Sequence, residues 1–266
     1  MRKPRYSPAT SNDCWEVSDV AIIDVHAEIG TTPLWGIPFT DQNLLRSMQK
    51  YGVDRSIISS TIGNSCDFKR GNAQVARVVQ ANQAMLGCVV VNINYPELSQ
   101  KDMHSYLADG SFAALLLTSG VRGRHVTLAE GEDLLNAHRR FVKPVYLHTQ
   151  NQAAALAANE IAKAFPIMKF VLIGMGGEDW RMATMLAERT LNLYLEVSGS
   201  SSPDKIQFAV EHIGSHRIVY GSGLPYNDPS AVIGLVQDAE ITDADKKNIF
   251  ENSARRLFGW GRGGQQ

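Results

Sequence analysis

From about residue 19 onward, short β-branched apolar runs alternate with longer stretches of helical spacing. The runs predict strands at Val20–His26, Arg55–Ser60, Leu86–Asn92, Phe112–Thr118, Pro144–His148, Lys169–Ile173, Asn192–Val197 and Arg217–Gly221. The stretches between them predict helices at Asp41–Tyr51, from Asn72 onward, and at Pro96–Ala108, Leu128–Arg140, Gln152–Ala164, Trp180–Thr190, Pro203–Ile213 and Ala231–Gln237, with a last one over Asp243–Phe258. Runs such as Leu115-Leu116-Leu117 and Val171-Leu172-Ile173 are apolar at every position rather than every second one. That is the signature of parallel strands covered on both faces.

Strand–helix units in this number and order predict an α/β fold, a (β/α)₈ TIM barrel. An open doubly wound sheet is the structural alternative. It more often carries GxGxxG after its first strand, and none stands there. The expected organisation is an extension over residues 1–18, one barrel over 19–260 and a tail over 261–266.

Composition narrows the function classes. With 266 residues, 26 basic and 27 acidic side chains and a formal charge of −1, bulk electrostatics do not draw the chain to nucleic acid or an anionic membrane. A small molecule is the natural partner, and a homo-oligomer is compatible with the composition. Three cysteines, Cys14, Cys66 and Cys88, stand far apart, odd in number and without a CxxC, which fits a reducing compartment. The N-terminus has no apolar stretch of signal-peptide type, and the expected location is cytoplasmic.

In a barrel of this kind, chemistry gathers where strands run into the following loops. Strand one ends in Asp24-Val25-His26-Ala27-Glu28, so simple alternation puts Asp24, His26 and Glu28 on one face. Strand five, opposite in an eight-stranded barrel, ends in His148. His26, Glu28 and His148 are therefore the candidate ligands of one divalent ion, zinc, manganese or iron. A lone His at a strand end is more often a hydrogen-bonded residue than a ligand, and it is the three together that point to an ion. Weaker candidates for an anion or substrate contact are the amides of Gly176 and Gly177, the hydroxyls of Ser198 and Ser200, and Trp35 as a lid wall. N-capping by Ser202 with Pro203 behind it is the plainer reading of the serine run.

The order of short motifs resembles the amidohydrolase superfamily, in the branch that includes aminocarboxymuconate-semialdehyde decarboxylase. They are Ile23-Asp24-Val25-His26, Tyr51-Gly52-Val53-Asp54-Arg55, Pro144-Val145-Tyr146-Leu147-His148-Thr149, Met175-Gly176-Gly177, Arg217-Ile218-Val219-Tyr220-Gly221-Ser222 and Asn252-Ser253-Ala254-Arg255-Arg256-Leu257-Phe258. The resemblance implies a metal-dependent hydrolase or nonoxidative decarboxylase of small metabolites. It also implies residues this chain replaces. Glu28 stands for the second His of His-x-His, Gly174 for a His before Met-Gly-Gly, and Gly223 for the Asp after Gly-Ser. The implied ion is then held weakly, by His26 and His148 with Glu28 substituting. A carboxylate base beside a metal-bound water is worth about 10²–10⁴ in rate, and Gly223 cannot supply one. The alternative is a catalytically inactive barrel that serves as a small-molecule binding or assembly protein.

Overall fold

The computed structural model describes residues 20–32, 36–108, 110–121 and 123–261. Eight parallel strands follow one another round a barrel: β1 (Ile22–Thr31), β2 (Val53–Ser60), β3 (Met85–Asn92), β4 (Phe112–Thr118), β5 (Val145–His148), β6 (Phe170–Ile173), β7 (Leu193–Glu196) and β8 (Ile218–Val219). Each pairs with the next in sequence. Closure comes from backbone bonds between the β8 end and β1: Val25 N donates to Tyr220 O at 3.0 Å, Gly223 N to His26 O at 2.9 Å and Glu28 N to Leu224 O at 2.7 Å. The (β/α)₈ barrel expected from the alternation is the fold. A two-residue strand, Pro38–Phe39, pairs antiparallel with Gly30 and Thr31 on β1 and was not expected.

The core has two layers. Ile23, Val25, Ile57, Cys88, Val90, Leu116, Tyr146, Val171, Ile173 and Val219 fill the interior. Ile22, Ala27, Ile29, Ile58, Val89, Leu115, Leu117, Leu147 and Leu172 face the surrounding helices. Alternate residues of one strand go to opposite layers, which explains the continuous apolar runs. The helices start where short polar side chains take up free amides. The Asn151 side chain accepts from Ala154 N, Asp67 from Arg70 N, and Thr40 and Asn43 form a reciprocal cap.

β1 corrects the simple alternation. It gains one residue against β2 between Asp24 and Ala27, a β-bulge. Ile23 and Val25 pack inside, yet Ala27 and Ile29 pack outside. The extra residue shifts the phase, so His26 and Glu28 share a face that Asp24 does not. The Val25 carbonyl accepts from Tyr146 Oη across the interior at 2.9 Å. The last helix also differs from expectation. Asp243–Lys247 and Ser253–Phe258 flank a π-helical turn over Asn248–Asn252. The Ile249 carbonyl accepts from Tyr220 N at 3.0 Å, which occupies the backbone where β8 leaves regular pairing.

Candidate functional site

The C-terminal rim of the barrel is built around two buried carboxylates. Asp24, displaced by the bulge, takes the Ser222 backbone amide at 2.9 Å, the Ser222 hydroxyl at 2.6 Å and the His26 amide at 3.0 Å. It thereby locks β1 to the β8 loop. Burial pushes its carboxyl up to about 6, against these bonds, which favour the charged form.

Glu196, the last residue of β7, is the second. It is wholly buried and accepts three hydrogen bonds: from Ser198 N at 2.7 Å, Ser198 Oγ at 2.7 Å and Gly174 N at 3.1 Å. Its Oε2 also lies 3.4 Å from His26 Nδ1. That spacing suits an ion pair, without hydrogen-bond alignment, since the ring nitrogen has no hydrogen-bond partner among the described residues. Burial opposes a charged imidazole, but Glu196, with Glu28 and Asp24 behind it, outweighs burial and raises the His26 pKa above its ordinary 6.5.

The glycine rims show how tightly this arrangement is closed. A side chain on Gly221 would run into the Glu196 carboxylate. At Gly223, φ is +66°, and a Cβ would stand 2.6 Å from Asn227 Nδ2 and 2.9 Å from Ser198 Cβ. Asn227 Nδ2 donates to Ser198 O at 2.9 Å and holds that wall in place. The space beside Gly223, where the resemblance implies an Asp, is occupied by protein. Gly174 is open, with only Thr149 O near its would-be Cβ at 3.8 Å, although its φ of +81° disfavours a side chain.

Of the three candidate ligands, His26 and His148 come together edge to face, with ring centroids 6.1 Å apart. Glu28 and His148 line one cavity of about 80 Å³ at the mouth. Among the described residues no three His, Cys, Asp or Glu side chains converge at a spacing that holds a metal ion. With one wall filled by Ser198 and Asn227, and His26 turned to Glu196, the donors as they stand do not fit the implied ion.

The weaker candidates are engaged elsewhere. Gly176 N donates to Thr149 Oγ1 at 3.2 Å and Gly177 N to Gly174 O at 2.9 Å, so these amides close a turn. Ser198 serves Glu196, and Ser200 Oγ donates to Met175 Sδ at 3.2 Å. Ser202 is the N-cap residue with Pro203 at the first helical position, but its side chain makes no cap bond. Trp35 lies outside the described residues.

Sequence reasoning missed Glu196 and much of the cavity lining. Glu196 had a signal: a lone acid between Leu195 and Val197 at the end of an apolar run. Arg124, His125, Gln150 and Tyr226 also line the cavity and sit on loops that no periodicity marks. Arg124 is ion-paired with Glu130.

A likeness to solved structures supports the architecture. The dihydroxybenzoic acid decarboxylase from Polaromonas sp. JS666, with bound manganese and the inhibitor 2-nitroresorcinol, superposes with a TM-score of 0.74 at 17% identity, over 92% of this chain and 98% of that one. A 2,6-dihydroxybenzoate decarboxylase in complex with 2,6-dihydroxybenzoate gives 0.73 at 15%, over 90% and 99%. The 4-oxalomesaconate hydratase from Rhodopseudomonas palustris gives 0.68 at 17%, over 90% and 96%. These identities carry the fold and not the activity. The sequence itself matches the amidohydrolase family over residues 62–260, most of the barrel, and the chain belongs to that family.

Proposed function

We propose that the barrel mouth binds a small organic acid through side chains, and that a carboxylate–imidazole network takes the place of the metal centre the resemblance implies. The observation that carries this reading is Glu196. Its carboxylate is committed to Gly174 N, Ser198 N and Ser198 Oγ, and it faces His26 at 3.4 Å. A buried carboxylate that already accepts three hydrogen bonds from the protein is committed to its own walls, and it gives the imidazole beside it an opposite charge.

The cavity in front of this unit suits a hydroxylated acid. Arg124, His125, Gln150 and Thr118 present donors to a carboxylate, and Glu28 presents an acceptor to a hydroxyl. In this reading the protein is a small-molecule-binding member of its family.

A second reading keeps the family's chemistry, as a hydrolase or nonoxidative decarboxylase. The closeness of His26 and His148 favours it, as does the bound dihydroxybenzoate of one structural neighbour. The two readings separate in one experiment. 2,6-Dihydroxybenzoate is titrated into the protein by calorimetry with a chelator present, and carbon dioxide release is then followed with manganese added. Binding that ignores the chelator, with no release above the uncatalysed rate, is the expected result. Binding that needs manganese, followed by release, contradicts the proposal and favours the second reading.

A further inference from the structure

The mouth cavity is not polar throughout. Its polar lining includes Glu28, Thr61, Asn64, His148, Gln150 and Tyr226. Its apolar lining includes Leu117, Val126, Leu147, Ala154 and Ala158. Leu117 and Leu147 point outward from β4 and β5 into the layer between strands and helices. Ala154 and Ala158 lie one turn apart on the helix Gln152–Ala164 and face the same layer. The cavity therefore leaves the barrel axis at the β4–β5 rim and enters the strand–helix layer.

The sequence explains why room remains there. At Ala154 and Ala158 the helix lines the cavity with methyl groups only. Across the gap, Gly131 lets the helix Leu128–His138 come close, since a Cβ there would stand 3.0 Å from Leu117 Cδ2 and 3.2 Å from Val126 Cγ1. Leu117 and Val126 are thereby held on one side while the alanine face stays short on the other. An apolar slot lined by small side chains takes an apolar group and stays dry without one.

We infer that the ligand of this site is an amphiphilic acid: its carboxylate lies at the mouth and an apolar tail enters the slot between β4–β5 and the helix Gln152–Ala164. The inference rests on the reading of the mouth as an organic-acid site and adds the tail. Ala154 and Ala158 are then the specificity-determining residues, and their size sets the tail length.

Butyrate and octanoate, titrated by calorimetry into the full chain, test it. Each methylene that enters the slot adds about fourfold to affinity, until the slot is filled. Octanoate is expected to bind at least tenfold tighter than butyrate. Ala158→Leu is expected to remove that gain. In the unmodified protein, octanoate and not butyrate should shift the NMR methyl signals of Leu117, Val126, Leu147, Ala154 and Ala158, a readout that does not depend on the variant folding. Equal affinities for the two acids, or a gain that survives Ala158→Leu in folded protein, or unmoved slot methyls, overturn the tail assignment while the mouth reading stands. Failure of both acids while 2,6-dihydroxybenzoate binds overturns the tail assignment alone, and failure of all three overturns the two together.

Discussion

Glu196 concentrates the consequences of the site in one side chain. Glu196→Ala leaves Gly174 N, Ser198 N and Ser198 Oγ without their acceptor in a buried place, and is expected to cost roughly 3 kcal/mol by urea denaturation. Glu196→Gln keeps an acceptor but removes the charge that holds His26 up, so the His26 resonances should titrate lower in that variant. The linkage follows in sign. A raised folded-state pKa gives His26 a contribution that is complete below its unfolded value of 6.5 and is lost as pH climbs through the folded value. The stability gap between parent and Glu196→Gln should therefore narrow above pH 6.5. His138 behaves in the opposite way. It is buried beneath the barrel, its Nε2 meets Lys143 O at 2.8 Å, and burial pushes its pKa down to about 4. Its contribution is complete above 6.5 and fades as pH falls to about 4. His138→Gln, which keeps an amide donor for Lys143 O, should gain roughly 3 kcal/mol relative to the parent between pH 7 and pH 4. Parallel pH curves for the two proteins would contradict that assignment.

At the scale of elements, the sequence was most legible where packing imposes regular periods. The strand Phe112–Thr118 and the helices Gln152–Ala164 and Pro203–Ile213 stand where apolar spacing and cap residues put them. It was least legible where one residue breaks a period. The bulge in β1 has no residue type that announces it, because Val25 and His26 are both acceptable strand residues, and only the register against β2 reveals it. The bulge decides which acids face the cavity, so an alternation argument misplaced Asp24. The π-helical turn at Asn248–Asn252 was hidden for the same reason, since its side chains keep helical spacing while one carbonyl turns to Tyr220 N. Two substitutions examine these joints. Tyr146→Phe strips the donor from the Val25 carbonyl inside the barrel and is expected to cost about 1–2 kcal/mol. Gly223→Asp, which would return the implied acid, meets Asn227 and Ser198 at a positive φ. It should lower the melting temperature, by an amount matching roughly 2 kcal/mol, and gain no affinity for manganese. A stable Gly223→Asp protein with new manganese binding would show that the wall beside Gly223 yields.

For the whole molecule, the barrel, its strand order and its closure were legible because eight buried parallel strands leave few other topologies. What the mouth does was legible only in part. His26 and His148 are legible as strand-end imidazoles, while Glu196, which faces His26, is marked only as a lone acid at the end of an apolar run. Among the described residues no helix is long and apolar enough to cross a membrane. On the β7–β8 side, Ser198 and Asn227 fill the space beside Gly223, and Glu196 fills the space beside Gly221. The barrel is expected to fold and to bind its ligand without a metal. The most direct test is a manganese and zinc titration by calorimetry at pH 7.5, on protein first dialysed against chelator, with the melting temperature followed in parallel. Binding weaker than about 0.1 mM is expected, with no rise in melting temperature at micromolar metal, since a ligand stabilises by RT ln(1 + [L]/Kd). One equivalent bound at micromolar affinity or tighter, with a rise in melting temperature lost in His26→Ala and His148→Ala, would contradict it.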